Sequence, residues 1–323
     1  MRQTKFGLAS LAIVTCGLLA FAQQAPPAQT PAGPAGRGGA VAAPGAPDAP
    51  ARGQGRGGRG GGAAARKRVL AWADTRNGQA QHDSVGHAVA TIEHLGYVSG
   101  LWDTYIRTDS NIIAKAPKKT DGTPASGGPS LSNVDAIFYM GHREVPLDDS
   151  QKAELLQFVR DGHGFVAAHV ALTSFASWPE FLDLIGARYA GHAYNGLGTV
   201  INERPDFPVT KHFPASFPFT DEFYTASEYS RDKIDVLLRL VEPGAAPDKD
   251  TPVAWAKSYG KGRVFYSSLS HASATWDIRD VQQMYFEAIK WSLGLTDVEP
   301  APHAMRGAAA AAPARGGGGG SLK

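Results

Sequence analysis

Histidine is the residue type through which this chain can do the most chemistry. Its imidazole changes charge near neutral pH and offers a lone pair to a metal ion, and the sequence holds 10 of them. In open α/β sheets, ligands bind outside the carboxyl ends of the strands, and that rule sorts the histidines. His169 follows the apolar run Phe165 to Ala168, and His271 follows Arg263 to Ser268. His142 comes after Val134 to Met140, and His82 lies in the polar loop after Lys67 to Ala73. His192 sits in Gly191-His192-Ala193, which reads as a turn, while Asp221 and Glu222 open the segment containing Phe223 and Tyr224. His169, His192 and His271 with Glu222 form a set that suits zinc or a similar divalent ion, with one position open to water or substrate. The same groups suit metal-free acid/base catalysis, in which a histidine removes a proton beside a carbonyl and Glu222 or Asp221 returns one. The remaining histidines read as structural: His87 and His94 on a helix, His163 between glycines, His212 before Phe213-Pro214, and His303 in the tail.

Thiol chemistry is excluded from the mature chain. Cys16 is the single cysteine, and it lies in an apolar run from Phe6 to Phe21 that follows Arg2 and Lys5. With Ala20-Phe21-Ala22 before Gln23, residues 1–22 have the three-part layout of a secretory signal peptide. A lipoprotein signal at Cys16 is the other reading, although Thr15 is bulkier than the residue such a signal prefers. The expectation is a periplasmic or secreted protein with no membrane span after cleavage. Residues 23–65 are almost wholly Ala, Pro, Gly, Gln and Arg, and residues 299–323 repeat the pattern. Such segments bury too little apolar surface to order themselves, so both read as disordered. The Arg-Gly pieces at Arg52, Arg56 and Arg59 resemble RNA-binding tracts, but an exported chain with a formal charge of +2 points to no nucleic-acid partner.

The elements that must position the histidines lie between residues 66 and 298. Lys67 to Ala73, Val98 to Trp102, Val134 to Met140 and Phe165 to Ala168 read as strands, most of them apolar enough to be covered on both faces. Helices alternate with them: one with Val85, Val89, Ile92 and Leu95 on one side, closed by Gly96, and one capped by Asp148 with Gln151 three residues on. Ser174 to Ile185 reads as a further amphipathic stretch, and a last helix runs from Asp280 to Gly294. A Lys-, Gly- and Pro-rich segment from Asp109 to Asn133 reads as a long surface loop. The second half adds extended segments at Gly198 to Asn202, Phe219 to Thr225, Val236 to Leu240, Val253 to Ser258 and Arg263 to Ser268. Such alternation predicts a mostly parallel sheet with helices on both faces, carrying extra β segments in its second half.

Several pieces, in order, resemble the ThuA-like family, named for trehalose utilisation. They are His82-Asp83-Ser84, the run Gly162 to His169, Gly191-His192, Thr220-Asp221-Glu222-Phe223-Tyr224, Pro252-Val253-Ala254-Trp255, and Gly262 to Tyr266 with Ser270-His271. The resemblance implies a flavodoxin-like fold similar to class I glutamine amidotransferases. Those enzymes carry a cysteine in the turn after a central strand; this chain has His169 there, so cysteine-dependent amidotransfer is excluded. It also implies a small carbohydrate or oxidised keto sugar as ligand. On that reading His169, His271 and Glu222 are the catalytic groups, and His169, His192 and His271 would hold one divalent metal, zinc first. His82 and Asp83 stand at the rim, and His142, Tyr224 and Trp178 would contact the sugar. A noncatalytic carbohydrate-binding module is the alternative to an enzyme. The sequence leaves the oligomeric state open.

Overall fold

The strand and helix signals assemble into a nine-stranded sheet. The computed structural model describes residues 65–76, 82–246 and 248–306; the signal peptide, nearly all of the first linker, and residues 307–323 lie outside them. In chain order the elements are β1 (Lys67–Trp72), α1 (Ser84–Ser99), β2 (Trp102–Arg107), β3 (Ala136–Tyr139), α2 (Asp149–Arg160), β4 (Gly164–Ala168), α3 (Pro179–Ile185), β5 (Arg188–Asn202), β6 (Ser216–Ser227), β7 (Asp235–Val241), β8 (Pro252–Tyr259), β9 (Gly262–Ser267) and α4 (Arg279–Ser292). The spatial order is β2-β1-β3-β4-β9-β8-β7-β5-β6. From β2 to β9 neighbouring strands are parallel. From β9 outward through β8, β7, β5 and β6 they are antiparallel. The parallel half has the flavodoxin-like strand order, and the antiparallel half is the extra β material read in the sequence.

Two apolar layers sandwich this sheet. Strand side chains alternate between faces: Val69 and Ala71 meet Ile92, Met284 and Trp291 on the α1/α4 side, while Leu70 and Trp72 meet Leu155, Phe158 and Phe181 on the α2/α3 side. The capping box at α2 forms as its residues predict, with the Asp148 carboxylate accepting from the Gln151 backbone N–H at 2.8 Å and the Gln151 side chain accepting in return at 3.2 Å. No described helix is long and apolar enough to cross a membrane.

Five boundaries differ from the sequence reading. Helix α1 passes through Gly96 to Ser99, and Gly100, at φ 69°, caps it instead. Gly96 is glycine for another reason: a Cβ there would sit 2.4 Å from the Trp102 indole nitrogen. The strand expected at Val98 to Trp102 therefore begins only at Trp102. The stretch Ser174 to Ile185 is helical only from Pro179, because a 3-10 turn (His169–Thr173) and an irregular corner take the residues before it. Strand β5 extends over 15 residues, so His192 lies in a strand, not a turn. At the other end residues 299–306, read as the start of the tail, include backbone groups bonded to the body of the domain. Ala301 N–H donates to Asp235 at 2.8 Å and Arg306 N–H to Glu203 at 3.1 Å, so buried carboxylates tie this segment down.

Candidate functional site

The parallel strands deliver their chemistry at the carboxyl edge. Strand β4 ends at Ala168, and His169 opens the following turn with φ 38°. A residue with a β-carbon is strained there by ~1–3 kcal/mol, and such strain collects at functional sites. The side chain is fully buried, and Nδ1 lies 2.8 Å from the carbonyl oxygen of Ser268, just past β9. A carbonyl only accepts, so Nδ1 carries the proton and Nε2 keeps its lone pair.

That lone pair faces a cluster. His169 Nε2 is 3.0 Å from His271 Nδ1 and 3.5 Å from Glu222 Oε2, and His271 Nδ1 is 2.9 Å from the same oxygen. His82 completes the group: one ligand-capable atom from each of His82, His169, Glu222 and His271 falls within 4.8 Å of the others. Ligands around a tetrahedral zinc ion, with bonds near 2.0–2.1 Å, stand about 3.3 Å apart. The separations among His169, His271 and Glu222, 2.9 to 3.5 Å, are near that value, and His82 falls within 4.8 Å of all three. Protonation also fits a metal. Burial pushes His82 down to about 4, with help from the neighbouring histidines His169, His271 and His142. Burial likewise lowers His169, against the pull of Glu222. Glu222 is held below the usual carboxylate range, by His169 first and then against burial by His271 and His192. Two neutral imidazoles and an ionised carboxylate are the forms that bind a cation.

Around the cluster stand residues that shape it. The Tyr224 ring lies 4.1 Å from that of His169, and its hydroxyl is 3.4 Å from His82 Nε2. Burial pushes the Tyr224 phenol well up, so it remains a proton donor. His142 is buried, with its ring edge-on to His82 at 5.6 Å. Asp221, offered by the sequence beside Glu222 as a proton-returning acid, has a positioning task in the structure. Its buried carboxylate accepts the Glu222 N–H at 3.0 Å and the His271 N–H at 3.4 Å, bracing the loop that carries His271. Burial raises Asp221 to about 7 despite those bonds. Tyr189 has no counterpart in the sequence reading; its hydroxyl is 3.4 Å from His192 Nδ1.

Three expected groups sit differently. His192 approaches Glu222 through the other oxygen, Oε1, at 3.5 Å and its side chain is 56% exposed, so it flanks the four-group cluster from outside while His82 stands within it. Asp83 is an exposed residue at the start of α1 and makes no side-chain cap bond. Trp178 packs in the apolar layer on the α2/α3 side, edge-on to Phe175 and stacked with Phe181 where α3 begins. Phe223 and Trp276, two further aromatics able to stack on a sugar, are likewise core.

Comparison with known proteins follows the same lines. The family model described as ThuA, trehalose utilisation, matches residues 68–292. Among solved structures, a ThuA-like protein from Bacteroides uniformis is 21% identical, with a TM-score of 0.57 over 73% of this chain and 95% of that one. A ThuA-like protein from Parabacteroides merdae is 15% identical, with a TM-score of 0.56 over 71% of this chain and 90% of that one. At those identities the likeness is one of fold. No curated protein matches the chain.

Proposed function

The chain belongs to the ThuA family, and from that premise we propose that it is an exported enzyme processing a small carbohydrate or keto sugar at the His82, His169, Glu222, His271 cluster, with one divalent metal held there. The family's link to trehalose utilisation supports the sugar class. The small-x-small signal at Ala20-Phe21-Ala22 supports export to the periplasm or beyond. One observation carries the site: four ligand-capable atoms within 4.8 Å of one another, with the buried His169 oriented by the Ser268 carbonyl.

Three imidazoles with a carboxylate favour zinc among common divalent ions. When bound, such an ion would supply Lewis-acid polarisation of a sugar oxygen. The protein's own residues do the rest. Tyr224 can donate a hydrogen bond to a sugar hydroxyl. His192, exposed beside Glu222, can exchange a proton with substrate. Asp221 keeps the His271 loop in register.

The test is metal content, measured by mass spectrometry on tag-free protein spanning Gln23 to Lys323. About one equivalent in the wild type and none in a His169→Ala, His271→Ala double variant is expected. Folded protein that takes up no zinc, manganese or nickel overturns the metal. Turnover of a panel of sugars and keto sugars then separates enzyme from binding module: His169→Ala abolishes it in the first case, while in the second there is only binding to weaken.

A further inference from the structure

A second cavity lies away from this cluster, on the α2/α3 side of the sheet. It measures about 400 Å³ and lies between α3, the start of β5, the end of β6 and the loop after it, with Lys257 of β8 in its wall. Lys257 pairs with Val264 on β9, three residues before Ser267 at the site edge, so this cavity opens on the body of the sheet.

Its lining is unusual in charge. The Lys257 side chain is 7% exposed, and a buried ammonium is costly unless its donors are matched. Lysine has about three N–H donors. One caps the C-terminal end of α3 by donating to the Asp183 carbonyl. The Asp183 carboxylate stays 3.9 Å away and 61% exposed, beyond hydrogen-bond distance. No other described residue accepts from the ammonium. Lys233 lines the same cavity, makes no ion pair with any described residue, and lies close enough to repel Lys257. Arg188 adds a third cation, although Glu228 answers it at 2.7 Å. Capping α3 explains one Lys257 donor and the Tyr259 ring lies 5.7 Å from the same ammonium, yet two cationic side chains still line one cavity.

We propose that this cavity binds the anionic group, carboxylate or phosphate, of a small hydrophilic molecule, with Lys257 and Lys233 as its direct partners. The volume is within the range of small-ligand sites. Ser230, also in the wall, offers a hydroxyl for the uncharged part of such a ligand, while the Tyr229 hydroxyl is taken by the Asp250 carbonyl. Gly186, at φ 96°, keeps the wall open, since a Cβ there would come within 3.2 Å of the Lys257 stem. This site stands independently of the metal cluster.

Calorimetric titration of the full chain tests it, with inorganic phosphate, glucose 6-phosphate, gluconate and glucose as probes. Saturable binding of at least one anionic probe and none of glucose is expected, weakening steeply as salt rises. Phosphate and glucose 6-phosphate binding without gluconate assigns a phosphate site, and the reverse assigns a carboxylate site. Lys257→Gln should weaken binding at least tenfold. Should that variant fail to fold, Lys233→Ala, at an exposed position, should weaken it several-fold and carry the test alone. Absence of saturable anion binding, equal binding of glucose, or affinity unchanged in a folded variant overturns the proposal.

Discussion

Two buried polar clusters in this chain follow opposite logic. Under the antiparallel half, Glu203 is fully buried and accepts from Arg239 Nε at 2.7 Å, Arg231 Nη1 at 2.9 Å and the Arg306 N–H at 3.1 Å. Arg231 also forks onto Asp250 at 2.7 Å, and Arg204 bridges Asp235 and Asp206. Cations alternate with anions there, and each guanidinium faces a carboxylate. At the carboxyl edge of the parallel half, three imidazoles converge on one carboxylate, and the His169 lone pair points at another ring nitrogen. The first arrangement is held by protein cations, with Asp235 Oδ1 making no hydrogen bond and facing His303 Nε2 at 3.4 Å. The second could hold a cation, which neither burial nor charge reveals without asking where each proton sits.

The largest expected effect is on the ion-pair cluster. Glu203→Ala strands Arg239 in a buried position and leaves Arg231 with Asp250 alone, and breaking a buried ion pair from one side costs about 3–5 kcal/mol. Urea unfolding of the metal-free protein should show a loss of that size, while metal bound per folded molecule stays at the wild-type level. A loss below about 1 kcal/mol would place this network with ordinary surface pairs and dissolve the contrast.

Next comes the cluster that could hold a cation. Zinc at about 100 times its dissociation constant should stabilise the wild type by about 2.7 kcal/mol through mass action. His169→Ala should abolish that gain while the chelated protein still unfolds in one cooperative transition. The comparison is thermal unfolding with zinc and with chelator. An equal zinc effect in wild type and variant would move the ion elsewhere.

A smaller effect concerns the C-terminal segment. A chain ending at Val298 loses the Ala301 and Arg306 bonds to Asp235 and Glu203, and bonds to charged groups contribute about 1.5–3 kcal/mol. A chain ending at Arg306 keeps both. Denaturant midpoints of the two truncations should therefore separate, with the longer chain close to the full one; coincident midpoints would remove this segment from the network.

The sequence reveals the two clusters unequally. His169 and His271 are legible because each directly follows an apolar strand of the parallel half, where chain order and ligand position are linked. Glu222 is legible beside them through the family's Asp-Glu-Phe-Tyr run. His82 is legible only as a rim residue, since its place in the cluster shows only in long-range contacts with Tyr224, His169 and His271. His192 misleads because glycines at 191, 196 and 198 imitate a turn within a strand of 15 residues that bulges at Tyr189/Gly191 and His192/Tyr194. Long-range antiparallel pairing holds that strand, and local pattern does not record it. The Glu203 network is hidden for the same reason: its partners lie 28, 36 and 103 residues away. Composition misplaces the last segment because Ala301 and Arg306 are fixed by backbone N–H groups, which every residue but proline carries.

The finest test of the contrast is a pH profile of stability. His303 sits between two carboxylates of the ion-pair network, with Nε2 3.4 Å from Asp235 and Nδ1 3.7 Å from Glu203. Burial alone would lower its pKa. The Asp235 carboxylate and the Ala304 carbonyl together outweigh that and raise it above the ordinary 6.5, although Arg306 opposes them. A raised folded pKa means that the folded chain holds the proton more tightly than the unfolded one. His303 therefore contributes its full stability below the unfolded value near 6.5, and that contribution fades as pH rises through the higher folded value. His303→Gln should be less stable than wild type at pH 5.5, and the gap should narrow as the wild type deprotonates. Chelator in both samples keeps the metal cluster out of the measurement. A gap that is constant with pH would show that His303 acts by packing alone; a gap that widens toward alkaline pH would mean that burial outweighs the carboxylates, so that this network too leaves an imidazole neutral, as the metal cluster does.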